Sequence, residues 1–212
     1  MLSLCECQSD IVHLEKNRFL IRSGVTVFVT NYLEGLAKAI QKKGGKIIFE
    51  SVHSTKELNE FDHIVVAAGY GIKAFPECSF LNVKYLKGQI LGMSGPPPTD
   101  KSEISKGYMV HMGKDNFFSI GATYERKFSS SFPDIQTAKD LLQNKLEPFT
   151  DRKIIGCKSG VRVCSKNHYF PIVERISDKV TVFTALGSRG LLYHGLLGRA
   201  LANRIAKNEI IA

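Results

Sequence analysis

Long apolar runs are missing from this sequence of 212 residues. The longest, at residues 64–71 and 180–186, fall far short of the roughly 20 residues that a membrane-spanning helix needs. We therefore expect no transmembrane helix and no membrane partner. Residues 1–10 carry acidic and polar side chains where a signal peptide has a basic and then an apolar stretch, so we expect a cytoplasmic protein.

Cysteine pairs of the kind that hold zinc are also missing. The sequence has five cysteines, an odd number without a CxxC unit: Cys5, Cys7, Cys78, Cys157 and Cys164. Cys5 and Cys7 are close enough in sequence for a redox or metal role, but no cluster of His and Cys accompanies them. The pattern predicts reduced thiols and no metal site.

Acidic residues are fewer than basic ones. The sequence has 29 Lys and Arg but only 20 Asp and Glu, which gives a formal net charge of +9. A partner that carries phosphates suits this balance, and a tRNA would be one. Blocks of Lys and Arg interleaved with aromatic residues do not occur. A generally basic surface therefore explains the charge equally well.

Alternating elements without internal repeats predict an α/β protein. The clearest helix covers residues 31–43, where apolar residues recur every three or four positions and Gly44 and Gly45 end it. Two short β-prone runs follow at residues 46–49 and 61–68. Together they predict part of a nucleotide-binding α/β layer.

The middle of the chain has the rhythm of an antiparallel sheet. Strands broken by turn residues are predicted at residues 87–93, 107–112 and 116–123. An amphipathic helix is predicted at residues 135–146, and a strand at residues 153–163 returns to the sheet.

The last predicted elements are a buried strand at residues 180–186, a glycine-bearing turn and a helix at residues 191–206. Gly187 and Gly190 permit close backbone approach, and the free N–H groups of the following helix can stabilise an anion or an electron-rich ring. A plain structural connection is the other interpretation. Arg162 and Arg189 favour a carboxylate or phosphate site if they meet in one pocket, which their spacing leaves open.

Three segments, in the same order along the chain, resemble the glycine-oxidase/D-amino-acid-oxidase (DAO) family of FAD-dependent oxidoreductases. Residues 118–125, FSIGATYE, resemble the strand and turn before the long helix of the family's substrate domain. Residues 160–162, GVR, with residues 168–173, HYFPIV, resemble its "G-[LV]-R, then D-x-x-P-x-[IV]-G" segment. Residues 184–191, TALGSRGL, resemble its final flavin-facing turn, particularly in members that modify tRNA.

The resemblance implies an α/β plus antiparallel β protein, in which a partial FAD/NAD(P)-binding Rossmann-like domain carries an inserted antiparallel-sheet substrate domain. Residues 1–84 and 178–212 would belong to the FAD-binding domain, and residues 85–177 to the substrate domain. The implied cofactor is FAD. The implied reaction oxidises a C–N bond next to a carboxylate, and in tRNA-modifying members it acts on carboxymethylaminomethyl-uridine.

The resemblance also implies roles for single residues. Arg162 matches the arginine that holds the substrate carboxylate, and Gly88 with Gln89 matches the family's G-Q. Tyr124 and His111 are candidates for polarising the substrate, against the alternative that they are ordinary strand or loop side chains. Contacts with FAD are implied at Val52, Ala67, Ala68, Gly69, Gly187, Ser188, Arg189, Gly190 and Leu191.

Departures from the family pattern leave alternatives open. His168 and Glu174 stand where the family has Asp and Gly. The G-x-G-x-x-G turn that cradles the FAD pyrophosphate is absent, since Gly69 and Gly71 are followed by Ala74. We therefore expect a flavin oxidoreductase, or its carboxy-terminal part completed by an upstream chain. The alternatives are a non-catalytic remnant or basic tRNA-binding subunit, and a plain structural domain.

Overall fold

The computed structural model describes residues 10–14, 18–104, 107–112 and 116–207. The chain divides into two compact units, Met1–Ile48 and Phe49–Ala212. Cys5 and Cys7, and most of the segment compared with a signal peptide, lie outside the described residues.

The first unit contains a short hairpin and one helix. Strand β1 (Ile11–His13) pairs antiparallel with β2 (Phe19–Ile21), and helix α1 spans Val29–Lys42. The helix predicted at residues 31–43 is thus confirmed. None of its described residues is buried, so its apolar face, which includes Leu33 and Ile40, is exposed.

The strand predicted at residues 46–49 is wrong. This run has no regular structure, and Ile48 and Phe49 are 66% and 97% exposed. A strand needs a neighbour to satisfy its backbone N–H and C=O groups. Among the described residues, no strand pairs with this run.

A small mixed sheet in the second unit has the order β3–β10–β9, with strands at Ile64–Val66 (β3), Ile172–Arg175 (β9) and Val180–Thr184 (β10). β10 runs parallel to β3 and antiparallel to β9. Val66 lies opposite Val182, so β3 and β10 end at the same edge of the sheet. β3 is an edge strand within the described part of the chain.

The antiparallel sheet predicted for the middle of the chain is confirmed and has five strands. In spatial order they are Glu103–Ile104 (β5), Tyr108–His111 (β6), Phe117–Gly121 (β7), Val83–Ser94 (β4) and Ile154–Ser165 (β8). β4 and β8 pair from Val83 opposite Ser165 to Met93 opposite Ile154.

Helix α2 (Ile135–Leu146) covers one face of this sheet and has the predicted bounds. Its Ala138 and Leu142 are buried against strand residues that include Leu91 and Phe118. The Asp134 carboxylate caps its amino terminus by accepting hydrogen bonds from the backbone N–H groups of Gln136 and Thr137.

Helix α3 (Gly190–Ala206) follows β10 and a single 3-10 turn, as predicted. No helix within the described ranges is both long and apolar enough to cross a membrane. Cys78, Cys157 and Cys164 are free thiols. In the described residues, no group of three or more His, Cys, Asp or Glu side chains is placed to hold a metal ion.

The contact between α2 and the sheet gives a matched test of this fold. Leu142→Ala removes a side chain that is 1% exposed and should lower the free energy of unfolding by about 2–5 kcal/mol. Leu141→Ala changes a neighbour that is 55% exposed and should cost no more than about 0.5 kcal/mol. Urea unfolding followed by circular dichroism measures both, and equal losses would contradict this packing.

Candidate active site

Arg162 lies on the face of the five-stranded sheet that α2 does not cover. It is near the end of β8, opposite Leu86 of β4, and it is half-buried. Its guanidinium group lies against the backbone of Gly88, where an added Cβ would be 2.7 Å from Nη1 and 2.8 Å from Nη2. The absence of a side chain at Gly88 therefore creates the space that the guanidinium group occupies.

Tyr108, which the sequence analysis did not select, lies on the same face. It is opposite Gly121, which in turn is opposite Ile90 of β4, and residues paired in this way project to one side. Burial raises the pKa of Tyr108, while the nearby charge of Arg162 acts in the opposite direction. A neutral phenol and a guanidinium group can therefore donate hydrogen bonds to one carboxylate.

Tyr124, a predicted site residue, comes shortly after β7. Its neighbour Glu125 is bridged to Lys87, which places Tyr124 opposite Gly88, on the face that carries Arg162. Its side chain is 60% exposed, and the Arg126 guanidinium carbon lies 5.7 Å from its ring centroid.

His111, the other candidate for polarising the substrate, lies opposite Phe118 in β6 and β7. It therefore projects to the face that α2 covers, because residues alternate between the two sides of a strand. Gln89 projects to this face too and is fully buried, and its amide Nε2 donates to Glu125 Oε1 at 3.1 Å. These two positions do not join the Arg162 face.

The turn after β10 has a left-handed backbone at Gly187, whereas Gly190 is already helical. Gly187 has a φ of +58°, and Ala185 has a φ of +60°, a conformation that is costly for a residue with a Cβ. Helix α3 begins directly afterwards, and no side chain caps its amino terminus. Ser188, Arg189 and Leu191 are exposed, so this end of α3 can receive an anion or an electron-rich ring.

Cys164 links the turn to Arg162. It lies two residues beyond Arg162 on β8, a rise of about 7 Å, and projects to the same face. The backbone of Cys164 forms a bridge with Leu186, and a Cβ added to Gly187 would lie 3.2 Å from Cys164 Sγ. Cys164 therefore contacts the turn, while the guanidinium group of Arg162 extends in the other direction along the sheet, over Gly88.

The residues after β3 join the turn at the edge of the small sheet. Ala67 and Ala68 follow β3 directly, and Gly69, with a φ of +52°, begins a 3-10 turn. Because β3 and β10 are parallel and in register, these residues and the turn before α3 lie at the same carboxyl edge, where α/β sheets bind ligands.

Val52, the remaining predicted cofactor contact, is half-buried in a segment without regular structure. The segment is anchored just after it, where the Ser54 hydroxyl donates to the Glu77 carboxylate and the Thr55 N–H donates to the same oxygen at 3.1 Å. Val52 is thus held in place, but its role stays a prediction.

Comparison with known proteins gives the family. A family model described as DAO, FAD dependent oxidoreductase, matches residues 11–204. Two curated relatives are tRNA 5-methylaminomethyl-2-thiouridine biosynthesis bifunctional proteins MnmC. The chain is 25% identical to that of Maricaulis maris over 148 residues, and 25% identical to that of Idiomarina loihiensis over 181 residues.

These matches cover 69% and 80% of the chain but only 24% and 29% of the relatives, so the chain spans about a quarter of their length. Among solved structures, glycine oxidase from Geobacillus kaustophilus shares the fold, with a TM-score of 0.58 and 19% identity. That comparison covers 71% of this chain and 42% of the glycine oxidase. The family match extends across both sheets, the Arg162 face and the turn before α3, and the chain belongs to the DAO family of FAD-dependent oxidoreductases.

Proposed function

We propose that the chain is the carboxy-terminal part of an oxidoreductase that oxidises a C–N bond next to a carboxylate. The observation that carries this proposal is the placement of Arg162 and Tyr108 on one sheet face, the face on which Cys164 contacts the turn that opens α3. The proposal keeps residues 1–84 and 178–212 in a cofactor-binding domain and residues 85–177 in a substrate domain.

FAD is the cofactor of the family, and the residues of this chain fit one end of it. The positive φ of Gly187 and the uncapped start of α3 suit the electron-rich end of the flavin ring. Gly187, Ser188, Arg189, Gly190 and Leu191 would hold that end, with Ala67, Ala68, Gly69 and Val52 towards the rest of the cofactor. When bound, FAD supplies the acceptor for the hydride that leaves the substrate carbon.

The pyrophosphate end of FAD does not fit these 212 residues. The sequence has no G-x-G-x-x-G turn, and the glycines after β3 lead into a 3-10 turn at Gly69–Ala74. Such a short turn does not provide the long helix amino terminus that stabilises two phosphate charges. In this proposal a further segment holds this part of the cofactor.

The partner in this proposal is an upstream segment, carried by a separate chain or by the same polypeptide, that completes the cofactor-binding fold. Two observations support it. In the second unit β3 is an edge strand with free backbone groups, among the described residues, for another strand. In the first unit α1 exposes its apolar face.

Arg162 and Tyr108 would bind the substrate carboxylate. The planar guanidinium group can donate two parallel hydrogen bonds, and the phenol can donate a third. Binding the carboxylate would fix the position of the adjacent carbon over this sheet face, which Cys164 of β8 connects to the turn. Tyr124, on the same face, would contact the substrate from the exposed side.

We infer that the amine belongs to a carboxymethylaminomethyl-uridine in tRNA. The names of the two curated relatives support this substrate, and so does the net charge of +9. The methylene carbon would lose a hydride and the nitrogen a proton, which gives an imine. Water would then add to the imine carbon, and cleavage of the C–N bond would release glyoxylate and leave a primary amine on the uridine.

A second candidate function is a non-catalytic, basic tRNA-binding subunit. The missing pyrophosphate turn favours it, because catalysis by the 212 residues alone would require them to hold FAD. The two candidates differ in whether supplying the missing segment restores turnover.

The 212-residue chain on its own should bind FAD weakly or not at all. Desolvating a doubly charged pyrophosphate without compensating N–H groups is costly, so the purified protein should be colourless. Absorption spectroscopy after gel filtration measures this. A stoichiometric flavin band that survives the column would contradict the expectation.

Gly88→Ala should weaken substrate binding once the missing segment is supplied by fusion or as a second chain. The added methyl group would overlap the Arg162 guanidinium group and displace it. Losing a charge-assisted hydrogen bond costs about 1.5–3 kcal/mol, so KM should rise by at least about tenfold. Gly160→Ala is the control, because Gly160 lies opposite Gly88 on β8 and has nothing within 4 Å of its added Cβ. A similar rise in KM for both variants would argue against the role of the Gly88 space.

Arg162→Lys and Arg189→Ala should have different effects in the completed protein. Lysine keeps the charge but cannot donate two parallel hydrogen bonds to the carboxylate. Arg162→Lys should therefore lower kcat/KM mainly by raising KM. Arg189→Ala should change cofactor retention or reduction, because the charge beside the turn acts on the electron-rich end of the ring.

Steady-state assays on a carboxymethylaminomethyl-uridine substrate, with a flavin titration of each variant, separate the two effects. Unchanged substrate affinity in Arg162→Lys would remove the proposed role of Arg162. Completed protein that holds FAD but never turns over this substrate or a smaller secondary amine with a carboxymethyl group would favour the non-catalytic candidate.

A further inference from the structure

A cavity of about 630 Å³ lies on the α2 side of the five-stranded sheet, at the amino-terminal end of the helix. Its lining includes Lys87, Glu125, Lys127 and Asp134, together with the hydroxyl-bearing residues that follow Lys127. Lys87 projects to the side opposite that of Gly88 and Arg162, so this cavity is not part of the proposed carboxylate site.

Lys87 is the unusual member of the lining. It is 3% exposed, yet its ammonium group forms no hydrogen bond or ion pair with any described residue. The side chain is enclosed, but its Nζ atom is not fully sealed from solvent, so the ammonium group opens into the cavity. An anion in the cavity would supply the missing partner.

The nearby carboxylates are already engaged. Asp134 Oδ1 accepts from the N–H groups of Gln136 and Thr137, each at 3.1 Å, and Oδ2 accepts from the Thr137 hydroxyl at 2.7 Å. These bonds, the Thr137 hydroxyl first, hold the pKa of Asp134 below its usual value, and the charge of Lys87 adds to the effect. Asp134 is therefore an anion committed to capping α2.

Glu125 is engaged in the same way. Its Oε1 accepts from the Thr123 hydroxyl at 2.5 Å and from the Gln89 amide at 3.1 Å. Both donors are buried, so this oxygen is held within the sheet, and Glu125 lies across the strand from Lys87 without a direct ion pair to it. The positively charged donors of the lining that can act on a ligand are the ammonium groups of Lys87 and Lys127.

Other groups around the cavity suit a phosphate that carries a nucleoside. Hydroxyl donors at Ser129 and Ser130 complement the several acceptor oxygens of a phosphate group. Phe132 is 77% exposed on the lining, and Phe128 packs near Tyr70 with ring centroids 6.2 Å apart. Exposed aromatic rings beside basic side chains are the arrangement on which bases of single-stranded nucleic acids stack.

We propose that this cavity is a phosphate-binding subsite for a nucleotide, with Lys87 as its buried anchor, Lys127 at its mouth and Phe132 as a stacking surface. The phosphate site follows from the described residues alone. Its assignment to a nucleotide of an RNA substrate rests on the proposed function.

The test uses the 212-residue chain and three phosphate probes: inorganic phosphate, uridine 5′-monophosphate and a short single-stranded oligouridylate. Acetate serves as the comparison anion. Titration calorimetry and phosphorus NMR should detect phosphate binding, with acetate at least about tenfold weaker because it offers fewer acceptor oxygens and less charge. The two uridine probes should bind more tightly than inorganic phosphate, since a base can stack.

Three variants separate the site from general surface charge. Lys87→Met and Lys127→Met should weaken phosphate binding, the first by at least about tenfold because it removes the charge that anchors the phosphate. Lys84→Met is the matched control. It removes the same charge from an exposed position on the same strand, and it should leave binding unchanged.

Circular dichroism shows whether Lys87→Met is folded. If it is not folded, the test compares the phosphate affinity of Lys127→Met, which changes an exposed residue, with that of Lys84→Met. Binding that is absent for all three phosphate probes, equal for acetate, or equally weakened in Lys84→Met would overturn the phosphate site.

Uridine probes that bind no more tightly than inorganic phosphate, or binding unchanged in Phe132→Ala, would overturn the nucleotide assignment alone. These measurements require no FAD and no turnover. Their failure can therefore be distinguished from failure of the proposed oxidation, which is assayed on a small secondary amine that does not reach the cavity.

Discussion

The antiparallel pairing of β4 with β8 is the constraint on which the rest of the second unit depends. Each strand has 12 residues, and together they reach from one core to the other. Val163 is buried with the small mixed sheet, and Leu91 is buried under α2. A slip of one residue in this register would turn every side chain of one strand to the wrong face. Arg162 would then point towards α2 instead of lying on the face that α2 leaves open.

Because neighbouring residues of β4 project to opposite faces, Gly88 and Lys87 take part in different sites on the two sides of the sheet. At Gly88 the missing side chain lets a guanidinium group approach the backbone, and at Lys87 a long side chain projects into the cavity beside α2. One sheet thickness therefore separates the arginine proposed to bind a carboxylate from the buried lysine of the cavity. A polynucleotide substrate that carries both a carboxylate and phosphates could contact both faces only by passing around the end of the sheet.

Local signals predicted the parts of the fold that depend on local interactions. The bounds of α2 follow from its apolar periodicity and from Asp134, whose carboxylate satisfies the first backbone N–H groups. The run at residues 46–49 misled the prediction, since β-propensity says nothing about whether a partner strand exists. The family resemblance indicated Arg162 and the final turn. It did not show that β8 and the turn are joined through Cys164, because that depends on the bridge between Cys164 and Leu186.

Tyr108 and Lys87 were missed for a related reason. Alternation along β6 separates Tyr108 from His111, but only the register through Gly121 and Ile90 shows which of the two shares a face with Arg162. Lys87 directly precedes Gly88 and Gln89, and from sequence alone it resembles an ordinary charged residue of a strand. Its surroundings include Glu125, the bridge partner of Lys87, and Asp134 at the start of α2, both of which come much later in the chain.

The edge position of β3 affects whether the protein self-associates in concentrated solution. Val65 is 39% exposed on a strand whose outer N–H and C=O groups, among the described residues, face no other strand. Such an edge pairs with any extended segment that meets it, including the same edge of another molecule. Where a completing strand does not cover this edge, strand addition by the correct partner competes with self-association. The fraction of protein that stays unassociated then falls as the protein concentration rises.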